Sequence, residues 1–252
     1  MNRFAPRIST SLRSYPVAAL LVLAALTASA QSFCSSDGQA RPTALLERFI
    51  NADCDSCWKN PATSAPQPGQ IALDWVLPGS KGEDAPLSAV ASRDGLNRRE
   101  VLGVAVPHNA ASSTHIIKKP RLKGRSLRVA HGLALSGFIG VSIELKPMTS
   151  PTAKQHHQPQ QALTAWLVLV ESVPEGTEGT LVARNLVRNA LQLNWNQRDQ
   201  LSKKERPQLF ESRVMSVAQG VNPDNLRVMG WVEDAKGKVL AAARSGCTPL
   251  AR

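Results

Sequence analysis

The chain has few aromatic residues, few acidic residues relative to basic ones, and no long apolar run. Only 4% of its 252 residues are aromatic, which leaves little material for the stacking surfaces that bind single-stranded nucleic acids. Lys and Arg number 30 against 19 Asp and Glu, a formal net charge of +11. Because the basic residues are not interleaved with aromatic ones, we expect no nucleic-acid partner. With 42% apolar residues, the chain should bury globular cores.

No apolar run reaches the roughly 20 residues that a membrane-spanning helix needs. The run from Val17 to Leu26 follows several arginines without an acidic residue and precedes Ala28-Ser29-Ala30. This pattern predicts a secretory signal peptide over residues 1–30. Its removal would take three arginines and lower the formal net charge from +11 to +8. We therefore expect a periplasmic or secreted protein with no membrane span in the mature chain.

Several common catalytic signatures are absent. The sequence has no Gly-x-Ser-x-Gly, no phosphate-binding Gly-Lys-Ser/Thr loop and no His-Glu-x-x-His. These absences argue against serine hydrolases of that type, P-loop enzymes and zinc proteases. We expect no cofactor.

The four cysteines fall into two pairs by position. Cys54 and Cys57 form Cys-Asp-Ser-Cys, whereas Cys34 and Cys247 lie near the two ends of the predicted mature chain. Four cysteines allow three connectivities, and we favour Cys34 with Cys247 as a structural disulfide. A loop that long removes about 5 kcal/mol of unfolded-state entropy. A bond from Cys54 to Cys57 stabilises little, so we interpret this pair as redox-active, with Cys54 attacking, Cys57 resolving, and protein thiols or disulfides as partners.

Two other interpretations of the Cys-x-x-Cys motif are open. A zinc site needs further ligands, and the nearest candidates, His108 and His115, lie more than 50 residues away with no second Cys-x-x-Cys. We therefore expect no metal, although an inert local disulfide remains an alternative. The adjacent His156 and His157 would point to opposite sides of a strand, so we assign them to a surface loop.

The residues around the motif predict strand, turn, short helix and strand. The two strands are Thr43 to Asn51 and Gln70 to Leu77. In that arrangement Cys54 begins the helix, where the helix dipole favours a thiolate. Asp53 and Asp55 oppose it, since negative neighbours disfavour a thiolate. We therefore do not expect a strongly oxidising pair.

Much of the rest of the chain alternates between apolar and polar residues, as the strands of a β-domain do. Pro86 to Leu102 is compatible with an amphipathic helix interrupted at Gly95, and Pro107 to Thr114 with a loop. The basic stretch Lys118 to Arg128 is interpreted as a solvated strand face with Leu122 and Leu127 turned inward. Further strands are expected over Ser136–Lys146, Leu163–Val173, Thr180–Leu193, Leu226–Glu233 and Lys238–Arg244. Short polar turns between them favour an antiparallel sandwich.

The segment from Leu46 to Cys57 resembles the opening of a family of secreted thioredoxin-like proteins catalogued as a domain of unknown function. Its first strand ends in a similar Cys-Ser-Ser-Cys turn. Weaker similarity covers Leu73–Val76, Pro174–Gly176, Asn185–Arg188 and Asn225–Asp234. The resemblance implies an α+β chain: a thioredoxin-like domain with a shortened first helix over residues 31–118, followed by an antiparallel β-sandwich over 119–252.

A thioredoxin-like site also needs a cis-proline loop facing the disulfide. Pro107 is our first candidate and Pro120 the second. The chain departs from the family after the second cysteine, because Pro61, Pro66 and Pro68 leave room only for a very short helix. This departure keeps an alternative function open: a non-enzymatic envelope or secreted binding protein in which both disulfides are structural.

Overall fold

Strands dominate the part of the chain that the structure covers. The structure, a computed structural model, describes residues 34–117, 122, 125–147, 162–195 and 209–247. Its strands are β1 Cys34–Ser35, β2 Ala44–Asn51, β3 Gln70–Leu77, β4 Ala110–Ile116, β5 Arg125–Leu135, β6 Phe138–Pro147, β7 Leu163–Val173, β8 Arg184–Asn194, β9 Leu209–Ser216, β10 Leu226–Asp234, β11 Val239–Arg244 and β12 Gly246–Cys247. The helices are α1 Asp55–Trp58 and α2 Arg93–Val101, with short 3-10 turns at Gly82–Asp84, Ser88–Val90 and Pro223–Asn225.

Seven strands form one mixed sheet in the order β11-β10-β7-β8-β3-β2-β4. Strands β2 and β3 are parallel, as are β3 and β8, whereas the other neighbouring pairs are antiparallel. The predicted strands before and after the Cys-x-x-Cys motif are therefore adjacent in this sheet. Both are buried along nearly their whole length, which is usual for strands covered on both faces.

Five strands form a second sheet in the order β12-β1-β5-β6-β9, which packs against the β7, β10 and β11 end of the first. Gly230 of β10 lies directly against the second sheet. A Cβ atom there would lie 2.8 Å from Val129 Cγ1 and 2.9 Å from Ile143 Cδ1. Only glycine fits this contact without displacing the facing strands.

The expected thioredoxin-like domain with a separate β-sandwich is wrong. Both sheets contain strands from each side of residue 118, so the predicted sandwich does not stand apart from the predicted redox domain. The helix expected over Pro86 to Leu102 is shorter in the structure, where α2 has only nine residues. The described chain is a two-sheet, mostly β structure, because strand pairing across the whole chain replaces the helical layers that a thioredoxin-like sheet requires.

The segment expected as a loop from Pro107 to Thr114 instead runs into strand β4. Its residues pair antiparallel with β2 from Ala110 opposite Ile50 to Ile116 opposite Ala44. The small, polar sequence of β4 carries little strand propensity of its own, so this pairing is a tertiary effect.

Gly95 lies within α2 and does not interrupt it. A Cβ atom at this position would lie 2.4 Å from Leu77 Cδ2, so the glycine allows the helix to approach β3 closely. The helix begins at an N-cap, where Ser92 Oγ accepts a hydrogen bond of 3.0 Å from the Asp94 backbone N–H.

A buried charged cluster fastens α2 to the first sheet. Arg98 is fully buried and pairs with Glu47 and Glu233, each at 2.8 Å. Its guanidinium lies 4.9 Å and 5.1 Å from the ring centroids of Trp166 and Trp231. Burial raises the pKa of Glu47, but His115 and Arg98 outweigh it and hold that pKa below its ordinary value. The charges are compensated by specific partners, as buried charges must be.

One further sequence prediction can be compared with the structure, and three others concern residues that it does not describe. Leu122 is buried and Leu127 packs against the core between the sheets, as expected for the basic stretch. The predicted signal peptide over 1–30, Pro120, and the pair His156-His157 lie outside the described residues.

Candidate functional site

The Cys-x-x-Cys motif lies directly after strand β2. Buried Ala52 anchors it, because its backbone N–H donates to Leu77 O at 2.8 Å and its carbonyl accepts from Leu87 N at 3.1 Å. The Cys57 N–H then donates to Cys54 O at 3.1 Å, which closes a tight turn. Cys54 and Cys57 are joined by a disulfide in this turn, and both residues are half-buried.

Helix α1 is only four residues long, Asp55–Trp58. A single turn supplies little of the dipole that the sequence interpretation invoked for the Cys54 thiolate. The helix is instead fastened at its end, where buried Trp58 donates from Nε1 to Glu178 O at 2.8 Å. Lys59 forms an exposed pair with Asp55 at 2.6 Å.

Arg184 of β8 holds the end of the cysteine turn. Its Nη2 donates to Trp58 O at 2.8 Å and to Cys57 O at 3.3 Å, and its guanidinium lies 5.0 Å from the Trp58 ring centroid. Nη1 of the same residue pairs with Asp74 at 3.0 Å. Burial lowers the pKa of Arg184, although Asp74 counteracts it, and an arginine stays charged in proteins.

Asp74 binds a second arginine, so one carboxylate joins two cations. Arg48 Nη2 lies 2.6 Å from Asp74 Oδ2, and both side chains are buried. Sequence reasoning missed Arg48, Asp74 and Arg184. A usable signal was present, since Arg48 and Asp74 are opposite charges in the middle of two otherwise apolar predicted strands, at facing positions of the parallel pair.

A small cavity of about 190 Å³ opens beside Cys57. Arg48 and Arg184 line it on the sheet side, Asn60 to Ser64 on the loop side, and Ala110 to Ser112 of β4 at the sheet edge. The Arg48 Nε atom is buried without a hydrogen-bond partner. The cavity is therefore lined by one cysteine of the disulfide and by two cations that share a single carboxylate.

The Asp53 carboxylate lies next to Cys54 and is held by the following loop. It accepts from Ser80 Oγ and Ser80 N, each at 2.7 Å, and from Lys81 N at 3.2 Å. Hydrogen bonds from Ser80 are the main reason that the pKa of Asp53 is lowered, with Lys81 adding to the effect. A carboxylate kept ionised beside Cys54 disfavours the thiolate there.

Pro107 lies near the end of β2. Its carbonyl accepts from Asn51 Nδ2 at 3.4 Å, and the Asn51 N–H donates to Asn109 O at 2.7 Å. The peptide bond that precedes Pro107 is trans, as are all those of the described residues. Pro107 thus lies close to the cysteine turn but is not a cis-proline.

The Cys34–Cys247 disulfide predicted from the sequence is present. The two residues face each other across the antiparallel pair β1 and β12, with Cα atoms 4.0 Å apart. This bond lies in the five-stranded sheet, whereas Cys54 and Cys57 follow a strand of the seven-stranded one. Within the described ranges all cysteines are paired.

The histidines considered for a zinc site do not join the Cys54 turn. His115 Nε2 lies 3.0 Å from Glu47 in the buried cluster, and His108 is exposed. Among the described residues, neither histidine lies in a group with Cys54 and Cys57 that could hold a metal ion.

Comparison of the chain with models of known protein families and with curated proteins finds no match. Across the described residues, no helix has the length and apolar character needed to cross a bilayer.

Proposed function

We propose that the protein exchanges thiols and disulfides with other proteins through Cys54 and Cys57, in a periplasm or after secretion. The observation that carries this proposal is the half-buried Cys54–Cys57 disulfide in a turn anchored by Ala52 and Arg184, next to an open cavity. Such exchange requires cysteine sulfurs that a substrate can reach.

The energetic contrast between the two disulfides supports a chemical use for the short one. In the chain-entropy model, closing the Cys34–Cys247 separation of 213 residues contributes about 5 kcal/mol. Closing the separation of three residues between Cys54 and Cys57 contributes only about 2 kcal/mol. Stability therefore explains the first bond well and the second poorly.

The exchange proceeds in two balanced steps. The Cys54 thiolate attacks one sulfur of a substrate disulfide, forming a mixed disulfide and releasing a substrate thiolate. The Cys57 thiolate then attacks Cys54 Sγ, which forms the Cys54–Cys57 disulfide and releases the second substrate thiolate. The substrate gains two electrons, the protein loses two, and an external dithiol must restore the reduced form.

Cys57 suits the resolving role because Arg184 binds its carbonyl and it packs against the buried cluster beneath α1. The ionised Asp53 carboxylate next to Cys54 disfavours a thiolate there, which favours a reducing or isomerising pair over a strong oxidant.

The test is disulfide exchange by the reduced protein on a fluorescent disulfide substrate. We expect turnover with Cys34→Ser/Cys247→Ser, which serves as the matched control. Cys54→Ser should fall to the uncatalysed rate, and Cys57→Ser should accumulate the mixed disulfide, because the resolving thiol is missing. Equal rates for the control and Cys54→Ser would refute the proposal.

A non-enzymatic binding protein with two structural disulfides is the second candidate. Two features favour it. The one-turn helix α1 stabilises a thiolate little, and the ionised Asp53 disfavours one. A measured Cys54–Cys57 reduction potential below about −300 mV would favour this candidate, because such bonds resist cellular reductants.

A further inference from the structure

Three metal-ligating side chains meet around strand β1. Cys34 lies opposite Cys247 of β12 on one side and opposite His131 of β5 on the other. The two sulfurs and a ring nitrogen of His131 all lie within 4.8 Å of one another. Over the described ranges, this is the one group of at least three such side chains that could hold a metal ion.

His131 has an unused nitrogen in this group. The residue is only 5% exposed, and its Nδ1 lies 2.8 Å from Gly132 O, to which it donates as a neutral ring. Nε2 is buried and has no hydrogen-bond partner. An unpaired polar atom in a protein interior calls for an explanation, and a missing ion is one of the recognised ones.

The neutral ring is the form that coordinates metals. A donated Nδ1–H fixes the tautomer that leaves the Nε2 lone pair free, as is usual for histidine ligands.

The two cysteines are held near each other by more than their own bond. The Ser245 N–H donates to Val228 O, and the Val228 N–H donates to Ser245 Oγ, each at 2.9 Å. These bonds fix the chain two residues before Cys247. Breaking the disulfide therefore leaves Cys247 placed opposite Cys34.

We propose that reduction of the Cys34–Cys247 disulfide creates a Zn²⁺ site with Cys34 Sγ, Cys247 Sγ and His131 Nε2 as ligands. An external dithiol supplies two electrons and two protons and is itself oxidised to a disulfide. Zn²⁺ then displaces the two thiol protons, so two thiolates balance its charge. Two thiolates and an imidazole are a donor set typical of zinc, and exposed Cys247 leaves a fourth position open to water.

This site is independent of the proposed exchange at Cys54 and Cys57. The experiment therefore uses the full mature chain carrying Cys54→Ser/Cys57→Ser, in which only Cys34 and Cys247 can supply thiols. The protein is reduced with a phosphine and titrated with Co²⁺ as a spectroscopic probe, then with Zn²⁺. We expect thiolate-to-cobalt charge-transfer absorption that saturates at one equivalent and is removed by Zn²⁺. The oxidised protein should show none.

His131→Gln tests the third ligand, and His108→Gln, which replaces an exposed histidine, is the matched control. Losing an outer-shell partner of a metal ligand typically costs 10–100-fold in affinity, so losing the ligand itself should cost about tenfold or more. The control should bind as tightly as the parent. Absence of the charge-transfer band in the reduced parent, or equal affinity in His131→Gln, would overturn the proposal.

A second measurement does not depend on a histidine variant folding. In the reduced parent, bound Zn²⁺ should slow the alkylation of Cys34 and Cys247 together, as mapped by mass spectrometry. Unchanged alkylation of both cysteines at saturating Zn²⁺ contradicts the site.

Discussion

At the residue scale, the candidate site depends on Arg184, a residue that lies far from the Cys-x-x-Cys motif in the sequence. Arg184 connects Asp74, in the middle of β3, to the carbonyls of Cys57 and Trp58 at the end of the cysteine turn. Its planar, forked donors suit this bridging role, whereas a lysine offers one point charge. The position of the disulfide is thereby coupled to a buried ion pair.

Arg184→Lys should shift the Cys54–Cys57 reduction potential, because the turn that contains these cysteines loses its contacts with the arginine. The reduction potential of Cys34–Cys247 should stay unchanged, because Arg184 does not contact that disulfide.

Arg184→Met should lower the free energy of unfolding by about 3–5 kcal/mol, since Asp74 loses one of its two cations inside the protein. Thiol titration against a redox buffer measures the first effect, and urea unfolding the second.

Arg188→Lys is the control, because Arg188 lies on the same strand but pairs with Glu171 away from the turn. Equal shifts of the Cys54–Cys57 potential in the two lysine variants would contradict a specific role for Arg184.

At the element scale, buried charge pairs join helix and sheet. The Glu47 carboxylate of β2 binds Arg98 of α2 and also accepts from Trp75 Nε1 at 3.1 Å. A helix of nine residues is marginal alone, so its attachment depends on such contacts with the sheet.

Glu47→Gln should lower the free energy of unfolding by about 3–5 kcal/mol at neutral pH, because Arg98 loses a charged partner. The pKa of Glu47 is lowered in the folded state, so its contribution is present above the ordinary value of 4.5 and is lost as the pH falls through the folded pKa. The difference between parent and variant should therefore shrink in acid, as measured by urea unfolding from pH 7 downward.

Asp37→Asn provides the comparison, because it removes a carboxylate from an exposed ion pair. Asp37 lies 2.7 Å from Arg128, and its side chain is 60% exposed. Exposed pairs contribute at most about 1 kcal/mol, so this variant should stay close to the parent at every pH. A difference between parent and Glu47→Gln that grows in acid would refute the assignment.

At the scale of the whole molecule, strands distant in sequence share both sheets. The described residues from Cys34 to Cys247 form one compact unit, and β3 pairs with β2 on one edge and β8 on the other. A boundary near residue 118 would cut this sheet between β3 and β8, which are neighbours in it.

Fragments 31–118 and 119–252 should therefore each fail to fold, since each would expose sheet surface that the other covers. The mature chain should unfold in one cooperative step. Circular dichroism of the separate fragments and coincidence of far- and near-ultraviolet unfolding curves would measure this. A folded 31–118 fragment would contradict the expectation and restore the two-domain interpretation.

Local patterns predicted some elements well and others poorly. Strands β2 and β3 were predicted because apolar residues fill most of their positions, and the hairpin of β10 and β11 because Asp234 to Gly237 forms its turn. Strand β4 was missed because its small polar residues show no pattern before β2 pairs with them.

By itself, the sequence favoured the cysteine pairing that the structure shows and predicted the strands beside the Cys-x-x-Cys motif, because these depend on spacing and short-range patterns. Only the tertiary structure decided that the described residues form a two-sheet β fold, and that Asp74 joins Arg48 to Arg184, which binds the Cys57 carbonyl. It also placed His131 beside Cys34. These contacts join residues up to 127 positions apart, as between Arg184 and Cys57. Strand order at that range depends on which surfaces bury one another, and no local pattern encodes it.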